Sequence, residues 1–289
     1  MRKISAGVYM EGAYPGATLG VLVFSDGVVM IDAPISPEDG RAWQKAVREL
    51  KGGTMRLLIN LDSHPDRTLG TRLANGSVLA HVATAKVFTQ RSTIFKAQIV
   101  ESGAEWENCS GLSGIRWLPP NLTFTEQVKI HLDDTEILVE HHPGPEAGAS
   151  WVIVPEKKVA FVGDAVLAKQ PPFLANAKFE SWVEALDLLL SKEYKGYKIV
   201  SGRGGLVGEK DIRNMRRFLR NVEKQLERLS KRKATPQATE KLVDKLLATL
   251  ETPAKYRKNY SHRLRYGLYH QFAQFYSAGS SKQSSVTNV

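Results

Sequence analysis

The chain has 289 residues, 42% hydrophobic and 24% charged, a composition ordinary for a globular protein with one large core or two small ones. A single cysteine, Cys109, excludes a disulfide framework and a cysteine-based zinc site, and no apolar run is long enough to span a bilayer. The net charge of +10 is concentrated at one end: from Val207 onward there are 18 Lys or Arg against 7 Asp or Glu, whereas residues 1–206 carry 22 against 23.

The opening Met1-Arg2-Lys3-Ile4-Ser5 runs into alternating strand residues without the apolar stretch of a secretory signal, so a cytoplasmic location is expected. Val8–Met10, Thr18–Phe24 and Val28–Asp32 read as strands, the last two joined by a hairpin at Asp26-Gly27. Ser36 as cap, Pro37 at the first position and Asp39 three residues on predict a helix through Trp43, Val47 and Leu50, stopping at Gly52-Gly53. The apolar run Met55–Ile59 predicts a buried strand, and the loop leaving it reads Asn60-Leu-Asp-Ser-His-Pro-Asp-Arg-Thr-Leu-Gly70. Asp62, His64 and Asp66 fall at alternate positions, which on extended backbone puts them on one side.

A short helix at Thr71–Leu73, a strand at Val78–His81 and a helix from Ala83 to about Val100 follow, with His81 read as a structural strand-end residue. Residues 101–121 are irregular, and Thr123–Thr125, Val128–Leu132 and Glu136–His141 read as a β-meander turning at Asp133-Asp134. Strands at Trp151–Val154 and Val159–Val162 come next, then Gly163-Asp164, a helix around Ser181–Leu186, and Lys198-Ile-Val-Ser-Gly-Arg203-Gly-Gly. From Glu209 the chain is helical. Ile212, Met215, Phe218, Leu219, Val222, Leu226 and Leu229 form an apolar stripe, with arginines and lysines mostly outside it. A second helix is expected around Gln237–Leu250 and a third, rich in aromatics, from about Tyr256 to Tyr276.

These landmarks, in order over residues 6–206, resemble the metallo-β-lactamase superfamily. There a strand ending in Asn-Thr leads to His-x-His-x-Asp-His and a Gly; here the frame reads Asp62-x-His64-x-Asp66-Arg67, with Gly70 in place. The resemblance implies an α+β, four-layer αββα sandwich over residues 1–206, a basic helical extension packed on it over 207–276, and a disordered tail over 277–289. It also implies a zinc centre that lowers the pKa of bound water. Carried over by position, the first metal would have Asp62 and His64, but its third ligand falls at Pro145 or Ala147; His142 and Asp164 are the nearby substitutes. The second metal would have Asp66 and Asp164, with Arg67 and Arg203 where its histidines belong, and guanidinium cannot ligate a cation.

The expectation is therefore a salt-bridge cluster of Asp66, Arg67, Asp164 and Arg203 in place of the second metal, and a first site of Asp62, His64, Asp164 and His142 that is weak or vacant. Any catalytic role would fall to Asp66 and Asp164. The chain then reads as a superfamily member that is not a zinc-dependent hydrolase, takes no cofactor and binds a small anionic ligand in the old cleft. Two alternatives stand beside it: an atypical hydrolase holding one zinc or other divalent ion, and a binder of nucleic acid or an acidic partner through the basic C-terminal helices, whose tyrosines at helical spacing fit base stacking or a buried core. Membrane partners are not expected, and oligomeric state is open.

Overall fold

The computed structural model describes residues 1–277. Seven strands form the first sheet in sequence order: β1 (Arg2–Ser5), β2 (Val8–Glu11), β3 (Leu19–Val23), β4 (Gly27–Ile31), β5 (Met55–Ile59), β6 (Ser77–His81) and β7 (Leu122–Phe124). The second sheet has six, β8 (Gln127–Leu132), β9 (Thr135–His141), β10 (Ser150–Val154), β11 (Val159–Phe161), β12 (Lys198–Ser201) and β13 (Gly205–Val207). Helices α1 (Pro37–Glu49), α2 (Pro65–Thr68), α3 (Val82–Gln90), α4 (Phe179–Leu189), α5 (Glu209–Lys231), α6 (Val243–Leu247) and α7 (Arg257–Phe275) complete the chain.

Period-two side-chain alternation explains the layering. In β4, Val28 and Met30 face Trp43 and Val47 of α1, while Val29 and Ile31 face the second sheet. In β10, Val152 and Val154 join that inter-sheet core, while Trp151 and Ile153 face α4. Helices α5, α6 and α7 extend the same outer core through Leu219, Val222, Leu246, Leu264 and Leu268. The order from outside to outside is helix, sheet, sheet, helix. Ser36 caps α1, its side chain accepting from the Asp39 N–H at 3.0 Å, and the Asp26-Gly27 turn joins antiparallel β3 and β4.

Four expectations change. The helix predicted to reach Val100 ends at Gln90, because the chain then pairs with its own return: Phe95 N–H donates to the Ile115 carbonyl at 2.7 Å and Trp117 N–H to Thr93 at 3.1 Å. Phe95, Trp106 and Trp117 close a small core of their own there. The meander is divided: β7 pairs with β6 in the first sheet, and only β8 and β9 form a hairpin in the second. The predicted helix at 237–250 is a 3-10 turn, Pro236–Leu242, followed by the short α6. The alternation of Asp62, His64 and Asp66 breaks at Pro65, which starts α2. The expected tail, Ser277 aside, lies outside the described residues, among which no helix is long and apolar enough to cross a membrane.

Candidate functional site

Strands β4 and β5 run parallel, as do β11 and β12, so their C-terminal ends deliver loops to shared edges. Those ends carry Asp32, Asp62, Asp164 and Arg203, and α2 adds Asp66 and Arg67. Two glycines permit the close approach. Gly163 adopts φ +56, and a Cβ at Gly202 would stand 2.8 Å from both Arg67 Nη1 and Asp164 Oδ1.

Arg67 is fully buried and meets three carboxylates: Asp32 Oδ2 lies 3.0 Å from Nη1, Asp62 Oδ1 lies 3.1 Å from Nε, and Asp164 Oδ1 pairs with Nη2. Arg203 donates through Nε to Asp164 Oδ2 at 3.0 Å and through Nη1 to Asp66 Oδ2 at 2.6 Å; its Nη2 lies 3.2 Å from His64 Nδ1. Asp66 also accepts from the backbone N–H groups of Trp106 at 2.8 Å and Glu105 at 3.1 Å. The fold thus brings together Asp62, His64, Asp66, Arg67, Asp164 and Arg203 from the sequence-predicted set.

Three further residues complete the arrangement. Asp32, in the left-handed region at φ +58, joins through Arg67 and accepts the Leu61 N–H at 3.0 Å. Phe173 lies against two guanidinium groups, with Arg203 Cζ 4.6 Å and Arg263 Cζ 4.1 Å from the ring centroid, and His64 packs on it at 4.5 Å. Arg263 of α7 is buried and donates to the carbonyls of Gly103 at 3.0 Å and Pro171 at 3.2 Å. Its spacing from Tyr260, Leu264 and Gly267 marks a core-facing helical position, a signal present in the sequence. Asp32 announces itself only as an acid closing a fully apolar strand.

Four buried carboxylates share these arginines, and they do not titrate alike. Burial pushes Asp32 up to about 7 against the pull of Arg67, and raises Asp62 as well. Burial opposes ionisation of Asp66 and Asp164 too, but Arg203, joined at Asp164 by Arg67, outweighs it and holds both below the usual carboxylate range. Burial drives His64 down to about 3. Its Nδ1 accepts the Asp66 N–H at 3.2 Å, which places the ring proton of the neutral form on Nε2.

The donor set does not fit a metal ion. Asp66 and Asp164 are engaged by guanidinium, Asp62 by Arg67 and by the His64 N–H at 2.8 Å, and the His64 Nδ1 lone pair by backbone. His142 is not part of this group: it stacks on Trp151 at 3.7 Å and its Nε2 lies 3.0 Å from Glu140 Oε2, on the α4 side of the second sheet. Ala147 is exposed, and its carbonyl meets His141 Nε2 at 2.8 Å. Among the described residues no three His, Cys, Asp or Glu side chains are grouped to hold a metal ion.

Two sandwiched sheets with helices outside, and a polar cluster where the strand-end loops converge, define an αββα sandwich protein. The model of the metallo-beta-lactamase superfamily matches residues 14–204, and the chain belongs to that superfamily. A metallo-beta-lactamase from Pontibacter korlensis is similar at 19% identity and TM-score 0.60, over 76% of this chain and 97% of that one. DIM-1 metallo-beta-lactamase is similar at 15% identity and TM-score 0.60, over 76% and 96%. The inverting sec-alkylsulfatase Pisa1 from Pseudomonas sp. is similar at 12% identity and TM-score 0.69, over 99% of this chain; the chain spans 52% of that protein's length. No curated protein matches.

Proposed function

We propose that this superfamily member carries an arginine–aspartate cluster in place of a dinuclear zinc centre, is not a zinc-dependent hydrolase, and binds a small anionic ligand in the cleft beside the cluster. The observation that carries this reading is the pair Arg67 and Arg203, whose guanidinium groups engage Asp62, Asp66 and Asp164 together. Two permanent cations also repel a divalent ion.

The ligand half of the reading is supported by a cavity of about 280 Å³ that opens beside His64 and Phe173, lined also by Arg91, Glu146 and Asn176. Arg91 is packed against Phe88 and Trp117 and donates to the Ser63 carbonyl at 2.9 Å; among the described residues no carboxylate lies at ion-pair distance from it. Glu146, hydrogen-bonded to Asn176 at 3.3 Å, is pushed up to about 7 by burial, so near neutrality its carboxyl is partly protonated and opposes an anion less.

Metal analysis of protein purified without chelator, with calorimetric titration of zinc, tests the first half. The expected result is less than stoichiometric zinc and no binding heat that His64→Ala removes. Thermal-shift screening with phosphate, sulfate and simple carboxylates tests the second half. Stabilisation of the parent that Arg91→Gln abolishes is the expected outcome.

A further inference from the structure

Helix α5 buries Ile212, Met215, Leu219, Val222 and Leu226 along one side. Opposite them Arg213, Arg217, Arg220, Lys224, Arg228 and Lys231 follow one another at steps of four, three, four, four and three residues. On a helix of 3.6 residues per turn those steps make one straight ridge, about 27 Å long at 1.5 Å per residue. All six side chains are exposed. Arg213 is paired with Glu209 at 2.5 Å, and Arg217 reaches only the Asn214 side-chain oxygen at 3.4 Å. Among the described residues the other four have no carboxylate at ion-pair distance, although Glu223 and Glu227 lie on one flank. Nearby, Arg216, Arg257 and Arg265 are paired with Asp187, Asp244 and Glu240.

We infer that this ridge is a docking surface for the phosphate backbone of a nucleic-acid duplex, read without regard to sequence. The choice of partner follows from what accompanies the charge. An acidic protein interface needs an apolar centre, and an anionic membrane is gripped by a helix whose apolar face is free to enter it. The apolar face of α5 is in the core, and no large exposed hydrophobic side chain among the described residues belongs to this helix. Single strands are held in grooves by stacking aromatics, whereas the ridge is convex and its helix presents no exposed aromatic. Tyr260 of α7 is buried, and the exposed Tyr256 and Tyr269 belong to the α7 segment rather than to this ridge. A duplex offers rigid rows of phosphate, one charge per about 1.7 Å of axis, and neutralising them requires only positive charge at helical spacing.

Fluorescence anisotropy with labelled duplex DNA, duplex RNA, a single strand of equal length and phosphatidylserine vesicles tests the inference in the full-length protein. Two variants are compared. One reverses the ridge (Arg217→Glu, Arg220→Glu, Lys224→Glu), and the other makes the same charge change elsewhere (Lys241→Glu, Lys245→Glu, Lys258→Glu). All six positions are exposed, so both variants should melt like the parent, which circular dichroism verifies. The expected result is duplex binding that weakens by about four to five powers of salt concentration, as for five or so neutralised phosphates. The ridge variant should lose about tenfold or more in affinity at moderate salt and the control less than about threefold. DNA and RNA duplexes binding alike supports backbone recognition. The inference is overturned by absence of duplex binding at low salt, by equal loss in the two variants, or by preference for vesicles or single strands.

Discussion

Arg203 grips Asp164 through Nε and Asp66 through Nη1, so losing it unpairs two buried carboxylates at once. Arg203→His keeps a side chain at the position but is mostly neutral at pH 7. Breaking a buried pair from one side costs about 3–5 kcal/mol. A fall in melting temperature on the order of 10 °C is expected by differential scanning fluorimetry. Zinc should recover little of it, because Arg67 still engages Asp62 and Asp164. Melting like the parent would remove the cluster from any account of stability. Asp32 gives a second residue-scale test with the opposite pH sense. Four carboxylates share Arg67 and Arg203, and burial leaves Asp32 as the one pushed up to about 7. A folded pKa above the unfolded value contributes stability that is fully present below about 4 and lost as pH rises through 7. Asp32→Asn removes that dependence. The variant should gain on the parent by up to about 4 kcal/mol between pH 4 and pH 8, read from denaturant midpoints along a pH series. A pH-independent difference would mean that Asp32 is ionised throughout. His64 and Asp164 act in the acid direction: both lie below their unfolded values, so their contributions fade as pH falls below about 6.5 and about 4 respectively.

Helix α7 is tied to the loop at 103–105 by two side chains, Arg263 and Asn259, the latter donating through Nδ2 to the Gly103 carbonyl and to Glu105 Oε1, each at 3.3 Å. Arg263 donates to the Gly103 carbonyl through Nε and Nη2 and to the Pro171 carbonyl through Nη1, all buried, and through Nη1 also to the part-buried Gln170 Oε1. Burial pushes its pKa down to about 10, with Arg203 adding to the fall. Arg263→Met keeps the stem but strips these donors, leaving the Pro171 carbonyl without its Arg263 partner at a cost of about 1–3 kcal/mol and the Gly103 carbonyl with Asn259 Nδ2 alone. Hydrogen exchange should speed up in α7 and residues 103–108 and stay unchanged in β5; uniform change across the chain would point to global destabilisation instead. Much at this scale is written locally. The Ser36-Pro37 start of α1, the Asp26-Gly27 hairpin and the apolar stripe of α5 depend on neighbours within one or two turns, and they form as read. The end of α3 at Gln90 depends on backbone pairing with residues some twenty positions ahead, and β7 leaves the meander because β6 offers it a parallel edge. The same division runs through the site. Arg67 and Arg203 stand out because they occupy landmark positions on strand-end loops. Asp32 and Phe173 become partners of the cluster only after folding, and His142 is drawn away from it by Trp151.

Across the whole molecule, the apolar cores and the site chemistry rest on different atoms. The three large cores run between and outside the sheets, and the arginine–aspartate cluster sits where the parallel strands end. Changing the cluster should therefore alter what the protein binds while the sandwich persists. The double variant Arg67→His with Arg203→His tests this separation. Without metal it removes the two permanent cations that face Asp32, Asp62, Asp66 and Asp164, so it should melt below Arg203→His alone. It also supplies two imidazoles beside Asp66 and Asp164, a nitrogen and oxygen set that suits zinc. A ligand that binds only the folded state stabilises it by about 2.7 kcal/mol at a hundred times its dissociation constant. Zinc should accordingly raise the melting temperature of the double variant by several degrees and leave the parent and the single variant nearly unmoved, with expression in zinc-supplemented medium used should the apo form fail to fold. A zinc-dependent rise in the parent would show a metal site that survives Arg67 and Arg203. No rise in the double variant would mean that the strand-end loops have drifted from ligand geometry, so that the two arginines now define the shape of the site as well as its charge.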